Sequence, residues 1–121
     1  MGIKLVIVDD AAFIREALKN IVENAGMKCV GEAADGFEAY EEVISKNPDV
    51  VVMDLVMPNE NGIEATKRIL DECPGVRVVA CSTESEKAMT LKAMEAGCNG
   101  FITKPFQKDD VVKAIQEAVS N

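Results

Sequence analysis

The chain has 121 residues, 48% of them hydrophobic and 28% charged, with a net charge of −8. That length suits one compact domain, and that apolar content can fill a buried core, which excludes a disordered chain. The acidic balance and the lack of a basic cluster argue against a nucleic-acid or membrane surface, and no apolar run reaches the roughly 18 residues of a membrane span. The expectation is a soluble, cytoplasmic protein that acts on other proteins.

Short apolar runs alternate with stretches of helical spacing. The first run, Ile3 to Val8, ends in Asp9-Asp10. A helical stretch follows with Ile14, Ala17, Leu18, Ile21 and Ala25 on one face and Arg15, Glu16, Lys19 and Glu23 on the other. Gly26 stands where a left-handed helix terminus is expected. The second run, Cys29 to Ala33, is interrupted by Glu32 and reads as a sheet edge. A helix over about 36–45 comes next, with Asp35 three residues before Glu38, a capping pattern.

The third run, Val50 to Met53, ends in Asp54 and leads to a helix over 62–72 with Asn61 and Glu64 in capping positions. The fourth run, Val76 to Cys81, ends in Ser82. Its helix over 85–96 opens with Thr83 and Glu86 at capping spacing and closes at Gly97. The fifth run, Gly100 to Thr103, begins with glycine, reads as the other edge, and leads through Lys104-Pro105 to a helix over 108–119. Five strand–helix repeats, with continuously apolar first and third strands, predict an α/β fold: a doubly wound, five-stranded parallel sheet, (βα)5 and flavodoxin-like. Periodicity does not give the strand order; 2-1-3-4-5 is the common solution. The whole of 1–121 reads as a single domain.

The carboxyl ends of these strands carry Asp9, Asp10, Asp54, Ser82 and Lys104. If strands one, three, four and five are neighbours, three carboxylates, a hydroxyl and an ammonium share one edge. Adjacent carboxylates repel, and a hard divalent cation such as Mg²⁺ relieves the conflict. One carboxylate can then act as nucleophile towards a phosphoryl group whose charge the cation and lysine neutralise.

Plainer uses compete with these roles. Asp10 alone would serve as the N-cap of the first helix. Thr83 and Ser82 compete for capping, and the Thr83–Glu86 spacing favours Thr83. Lys104 alone would be a solvated charge, and Phe101 an edge-strand hydrophobe. Glu38, Glu41 and Glu42 read as a solvated helix face. Met53, Met57, Met89 and Met94 read as packing or surface residues. Cys29, Cys73, Cys81 and Cys98 lack metal-type spacing and read as structural.

From KLVIVDD through VVVMDLVMP and ACST to GFITKPF, the whole chain resembles the receiver domain of two-component response regulators. The resemblance implies Asp54 as phosphoacceptor, with Asp10, Asp54 and the backbone carbonyl of Val56 ligating Mg²⁺ and Asp9 holding it largely through water. It implies that Ser82 binds a phosphoryl oxygen, that Lys104 pairs with the phosphoryl group, and that the Lys104–Pro105 bond is cis. Ser82 and Phe101 would form the switch, acting on a face built from 84–96 and 100–119. Ser82 stands where Thr is commoner, Phe101 where chemotaxis regulators often have Tyr, and Thr83 where a small residue is usual, so that its bulk would restrict approach to Asp54. Val56 and Glu84 occupy the positions that tune phosphoryl lifetime in the family.

The chain contains no histidine, so the phosphoryl donor would be a separate histidine kinase or a small phosphodonor. The DDAAFIRE opening is similar to the freestanding chemotaxis type, which implies the flagellar motor switch as target, a phosphatase as further partner and a monomer. It would catalyse only its own phosphoryl transfer and loss. A phosphorelay intermediate or phosphate sink keeps the same chemistry without a motor target. A small-molecule phosphatase of the haloacid-dehalogenase type needs a second Asp two residues after the nucleophile, where Val56 stands. A flavin domain needs a phosphate loop where the acidic Asp9-Asp10 would repel it.

Overall fold

The computed structural model describes residues 2–57 and 61–120, the side chain of Glu84 excepted. Its strands are β1 (Lys4–Val8), β2 (Lys28–Ala33), β3 (Val50–Asp54), β4 (Arg77–Thr83) and β5 (Gly100–Lys104). Its helices are α1 (Ala12–Asn24), α2 (Gly36–Lys46), α3 (Gly62–Glu72), α4 (Lys87–Glu95) and α5 (Lys108–Ser120). The strands form one parallel sheet in the order β2-β1-β3-β4-β5. The expected edges, β2 and β5, are the edges. No helix among the described residues is long and apolar enough to cross a membrane.

The alternation of side chains along each strand divides the core into two layers. Leu5, Ile7, Val50, Val52, Val79 and Ile102 face Leu18 and Val22 of α1 and Val111, Ile115 and Ala118 of α5. Val6, Val8, Val51, Met53, Val78 and Ala80 face Ala39 and Val43 of α2, Ile63 and Ile69 of α3, and Ala93 of α4. All of β3 is buried, which is why that strand shows no polar alternation before Asp54.

Asp35 and Asn61 cap α2 and α3, each accepting from the backbone N–H three residues on at 2.9 Å. Gly26 and Gly97 adopt φ of 86° and 115°, as their helix-terminal positions led one to expect. Two local expectations change. On α1 the buried positions are Leu18 and Val22, while Ala17 and Ala25 are exposed. Small alanines at the stripe's margin gain little from burial, and the helix rotates to bury the larger valine. The segment expected to be one helix over 85–96 begins as a 3-10 turn at Glu84–Glu86, and α4 proper buries fully only Ala93.

Gly62 joins the fold to the strand-end region. Its N–H donates to the Leu55 carbonyl at 3.0 Å. A Cβ there would collide with the carbonyl oxygen of Asp54 and come within 2.8 Å of the Leu55 Cα. Rigid backbone cannot give way as a side chain does. Gly62→Ala is therefore expected to destabilise the protein by about 3 kcal/mol, the cost of overpacking a closely fitted contact. Urea denaturation checks this, and an unchanged midpoint would mean that α3 moves off β3 freely.

Candidate functional site

The strand order brings the ends of β1, β3, β4 and β5 side by side. β1 runs out into Asp9 and Asp10, β3 ends in Asp54, β4 in Ser82 and Thr83, and β5 in Lys104. Asp54 pairs in register with Cys81, Ser82 with Thr103, and Thr83 with Lys104. One carboxylate oxygen from each of Asp9, Asp10 and Asp54 lies within 4.8 Å of the others. Asp9 and Asp54 are buried and Asp10 is exposed, so the cluster is closed below and open to solvent at Asp10.

Lys104 enters from the end of β5. Its Nζ lies 3.0 Å from Asp9 Oδ2 and 3.6 Å from Asp54 Oδ1. The Lys104–Pro105 bond is cis. Burial alone would pull the Lys104 ammonium down. Its hydrogen bond to Asp9 and the charges of Asp54 and Asp9 outweigh burial and hold it above its ordinary value. Asp9 Oδ1 also accepts the Ala11 N–H at 2.9 Å.

Asp54 is 4% exposed and accepts one backbone N–H, from Val56 at 3.2 Å. Burial, reinforced by the charge of Asp9, pushes its carboxyl up to about 6, against the opposing pull of Lys104. One ammonium thus leaves the conflict among three carboxylates incompletely resolved. The donor set is all oxygen, anionic and open on one side, which fits a hard divalent cation that keeps several waters, as Mg²⁺ does. Thiol chemistry has no part here. Burial raises the Cys81 thiol far above its usual range, and all four cysteines are free.

The plainer use of Asp10 is not the one seen. The N-cap of α1 is Ala11, with no side-chain cap. At the other end of the site the Thr83 N–H donates to Glu86 at 2.8 Å and the Thr83 hydroxyl pairs with Ser85 at 2.9 Å. Thr83 thus turns towards the start of the next helix, and Ser82 is left out of capping. The side chain of Glu84, one of the two lifetime-tuning positions, lies outside the described residues. Val56, the other, has an exposed side chain.

Two residues at the site were not singled out from sequence. Arg15, expected on the solvated face of α1, is half-buried. Its Nη1 donates to the Asp9 carbonyl at 2.7 Å and its Nε to Glu32 at 3.0 Å, tying the end of β1 to β2. Thr90 of α4 is hydrogen-bonded to Ser82, oxygen to oxygen at 2.7 Å. Ser82, Thr90, Leu91, Met94 and Phe101 line a mainly apolar groove of about 400 Å³ between α4 and β5. Phe101 lies outward there, 53% exposed, as do Leu91 and Met94.

Residues 5–116 match the response regulator receiver domain family. The chain is 44% identical over 117 residues to the chemotaxis protein CheY of Thermotoga maritima, covering 97% of this chain and 98% of that one. In fold it is similar to the response regulator domain of Thermotoga maritima CheB, with a TM-score of 0.91 and 39% identity over 100% of this chain and 98% of that one. A chain of the CheX–CheY–BeF3–Mg²⁺ complex from Borrelia burgdorferi superposes with a TM-score of 0.88 at 28% identity, over 94% of this chain and 87% of that one. The chain belongs to the response regulator receiver family of two-component signalling and is of the CheY-like chemotaxis type.

Proposed function

We propose that this protein is an Mg²⁺-dependent signalling switch that accepts a phosphoryl group on Asp54 from a phosphohistidine of a separate kinase, with the whole of 1–121 working as one receiver. The observation that carries the reading is the convergence of Asp9, Asp10 and Asp54 within 4.8 Å beneath Lys104. The CheX–CheY complex named above contains both BeF3 and Mg²⁺, which favours the same pairing of metal and phosphoryl-like group here.

In this reading an Oδ of Asp54 attacks the phosphorus. The O–P bond forms as the P–N bond to the donor imidazole breaks, and the electron pair stays on the departing nitrogen. When bound, Mg²⁺ would supply positive charge that offsets the clustered carboxylates and neutralises the phosphoryl oxygens. Asp10, Asp54 and the Val56 carbonyl would hold it directly, and Asp9 would help to hold it, largely through water. Lys104 turns from the carboxylates to a phosphoryl oxygen, and the Ser82 hydroxyl binds another. Loss of the group by hydrolysis resets the protein, which turns over no other substrate.

The readout follows from the groove between α4 and β5. Movement of Ser82 towards Asp54 changes the groove that it shares with Phe101, and the α4–β5–α5 face presents the result to a target protein in the cytoplasm. The target proposed is the flagellar motor switch, as the likeness to chemotaxis proteins suggests. The test is transfer of labelled phosphoryl from a phosphorylated histidine-kinase domain to wild type and to Lys104→Ala. Rapid transfer to wild type, with a loss of at least tenfold in the variant, is expected from removing a charge that neutralises the transferred group. Equal transfer to both would remove Lys104 from the reaction.

A further inference from the structure

The Ser82 hydroxyl is committed before any phosphoryl group arrives. Ser82 is buried at the end of β4, one residue beyond the pairing of Cys81 with Asp54. Its Oγ lies 2.7 Å from Thr90 Oγ1, and Thr90 sits in the middle of α4, half-buried on the wall of the α4–β5 groove. A serine hydroxyl carries a single proton to donate. If that proton goes to Thr90, it is not available to the strand-end edge. If Thr90 is the donor, Ser82 is still held towards α4 as an acceptor. In both cases the bond joins the end of a buried strand to α4, whose one fully buried residue is Ala93.

We propose that Thr90 is a positioning residue for Ser82: their hydroxyl pair holds β4 and α4 in the unphosphorylated arrangement and sets how readily the protein leaves it. The proposal rests on the reading of Asp54 as phosphoacceptor and adds to it a residue on α4. Drawing Ser82 towards a phosphoryl oxygen pulls it away from Thr90 whichever oxygen is the donor, so its gain there is reduced by what it gives up at α4. Removing the Thr90 hydroxyl leaves Ser82 buried without that partner, which destabilises the unphosphorylated arrangement selectively. The same change leaves the carboxylates and Lys104 untouched. Thr90 also walls the groove alongside Phe101 and Leu91, so the pair couples occupancy of the Asp54 edge to the surface on which a target would sit.

Thr90→Val keeps the branched shape and loses the hydroxyl, whereas Thr90→Ser keeps the hydroxyl. The experiment measures the acetyl phosphate concentration that half-phosphorylates each protein at fixed Mg²⁺, by intact mass, for wild type, Thr90→Val, Thr90→Ser, Ser82→Ala and the double variant Ser82→Ala/Thr90→Val. Thermal melts of all five confirm folding. Thr90→Val is expected to lower the half-saturating concentration about fivefold, the factor that one ordinary net hydrogen bond supplies. Thr90→Ser is expected to stay within twofold of wild type, and Thr90→Val is expected to have no effect in the Ser82→Ala background. An effect of valine that persists undiminished without Ser82, or no effect of valine at all, overturns the proposal while leaving Asp54 as acceptor. No adduct on any of the proteins overturns the Asp54 reading, and the role of Thr90 falls with it.

Discussion

Metal-free Asp54→Asn protein is expected to be more stable than metal-free wild type at pH 7.5, by about 2–3 kcal/mol. The buried carboxyl of Asp54 is pushed up to about 6 from 3.8, first by burial and then by Asp9. Between those two values the folded protein keeps a proton that the unfolded chain has released. Stability therefore falls as pH rises through this window, and above about pH 6 the full penalty is present. A tenfold change in proton affinity corresponds to about 1.36 kcal/mol, which sets the upper end of the expected gain. Asparagine keeps an oxygen to accept the Val56 N–H and removes the charge. Most of the advantage should be gone by pH 4, where Asp54 is neutral in the folded protein and roughly half ionised in the unfolded chain. Urea denaturation in EDTA at pH 7.5 and pH 4 measures it. A variant less stable than wild type at pH 7.5 would mean that the carboxylate is stabilised where it sits, by Lys104 or by water.

The second large effect concerns the metal. Removing Mg²⁺ with EDTA is expected to stop phosphorylation by acetyl phosphate while leaving the circular dichroism of the fold unchanged. The buried carboxylates Asp9 and Asp54 stand at the strand ends, apart from the apolar layers that pack the sheet against its helices, so the fold is expected to hold without the ion, whereas the chemistry at the strand ends depends on it. Restoring Mg²⁺ to ten times its dissociation constant should stabilise the wild type by about 1.4 kcal/mol through mass action. Asp10→Asn should weaken the ion at least tenfold, because exposed Asp10 is the carboxylate on the open side of the cluster. Full-rate phosphorylation in EDTA would rule out the metal's role, and an undiminished Mg²⁺ response in Asp10→Asn would remove that ligand.

How much of this was legible in the sequence depended on whether a residue's role was local. The runs Leu5 to Val8 and Val50 to Met53 are apolar at every position, which only strands covered on both faces require, and both are central strands. Asp35 and Asn61 act within three residues of themselves, so their spacing to Glu38 and Glu64 was sufficient. The convergence of Asp9, Asp10, Asp54 and Lys104 could be read because all four sit where an apolar run stops, and the parallel sheet brings every such stop to one edge.

Arg15 and Thr90 were not legible. Each is a polar residue on a helix, and each finds its partner across a helix–strand packing that no local pattern encodes. Arg15 meets the Asp9 carbonyl and Glu32 only because α1 crosses between β1 and β2. Thr90 meets Ser82 only through the placement of α4, which the 3-10 turn at Glu84–Glu86 resets. The left-handed Asn47 that ends α2, with φ of 50°, was missed because asparagine is also common in loops that end no helix.

The central claim is that Asp54 accepts a phosphoryl group with the help of a divalent cation. The most direct measurement is intact mass spectrometry after incubation with acetyl phosphate, with and without Mg²⁺, on wild type and Asp54→Asn. The expected result is a single phosphoryl adduct on the wild type that requires Mg²⁺ and is absent from the variant. A wild-type-like adduct on Asp54→Asn, or no adduct on the wild type with Mg²⁺ present, would contradict it.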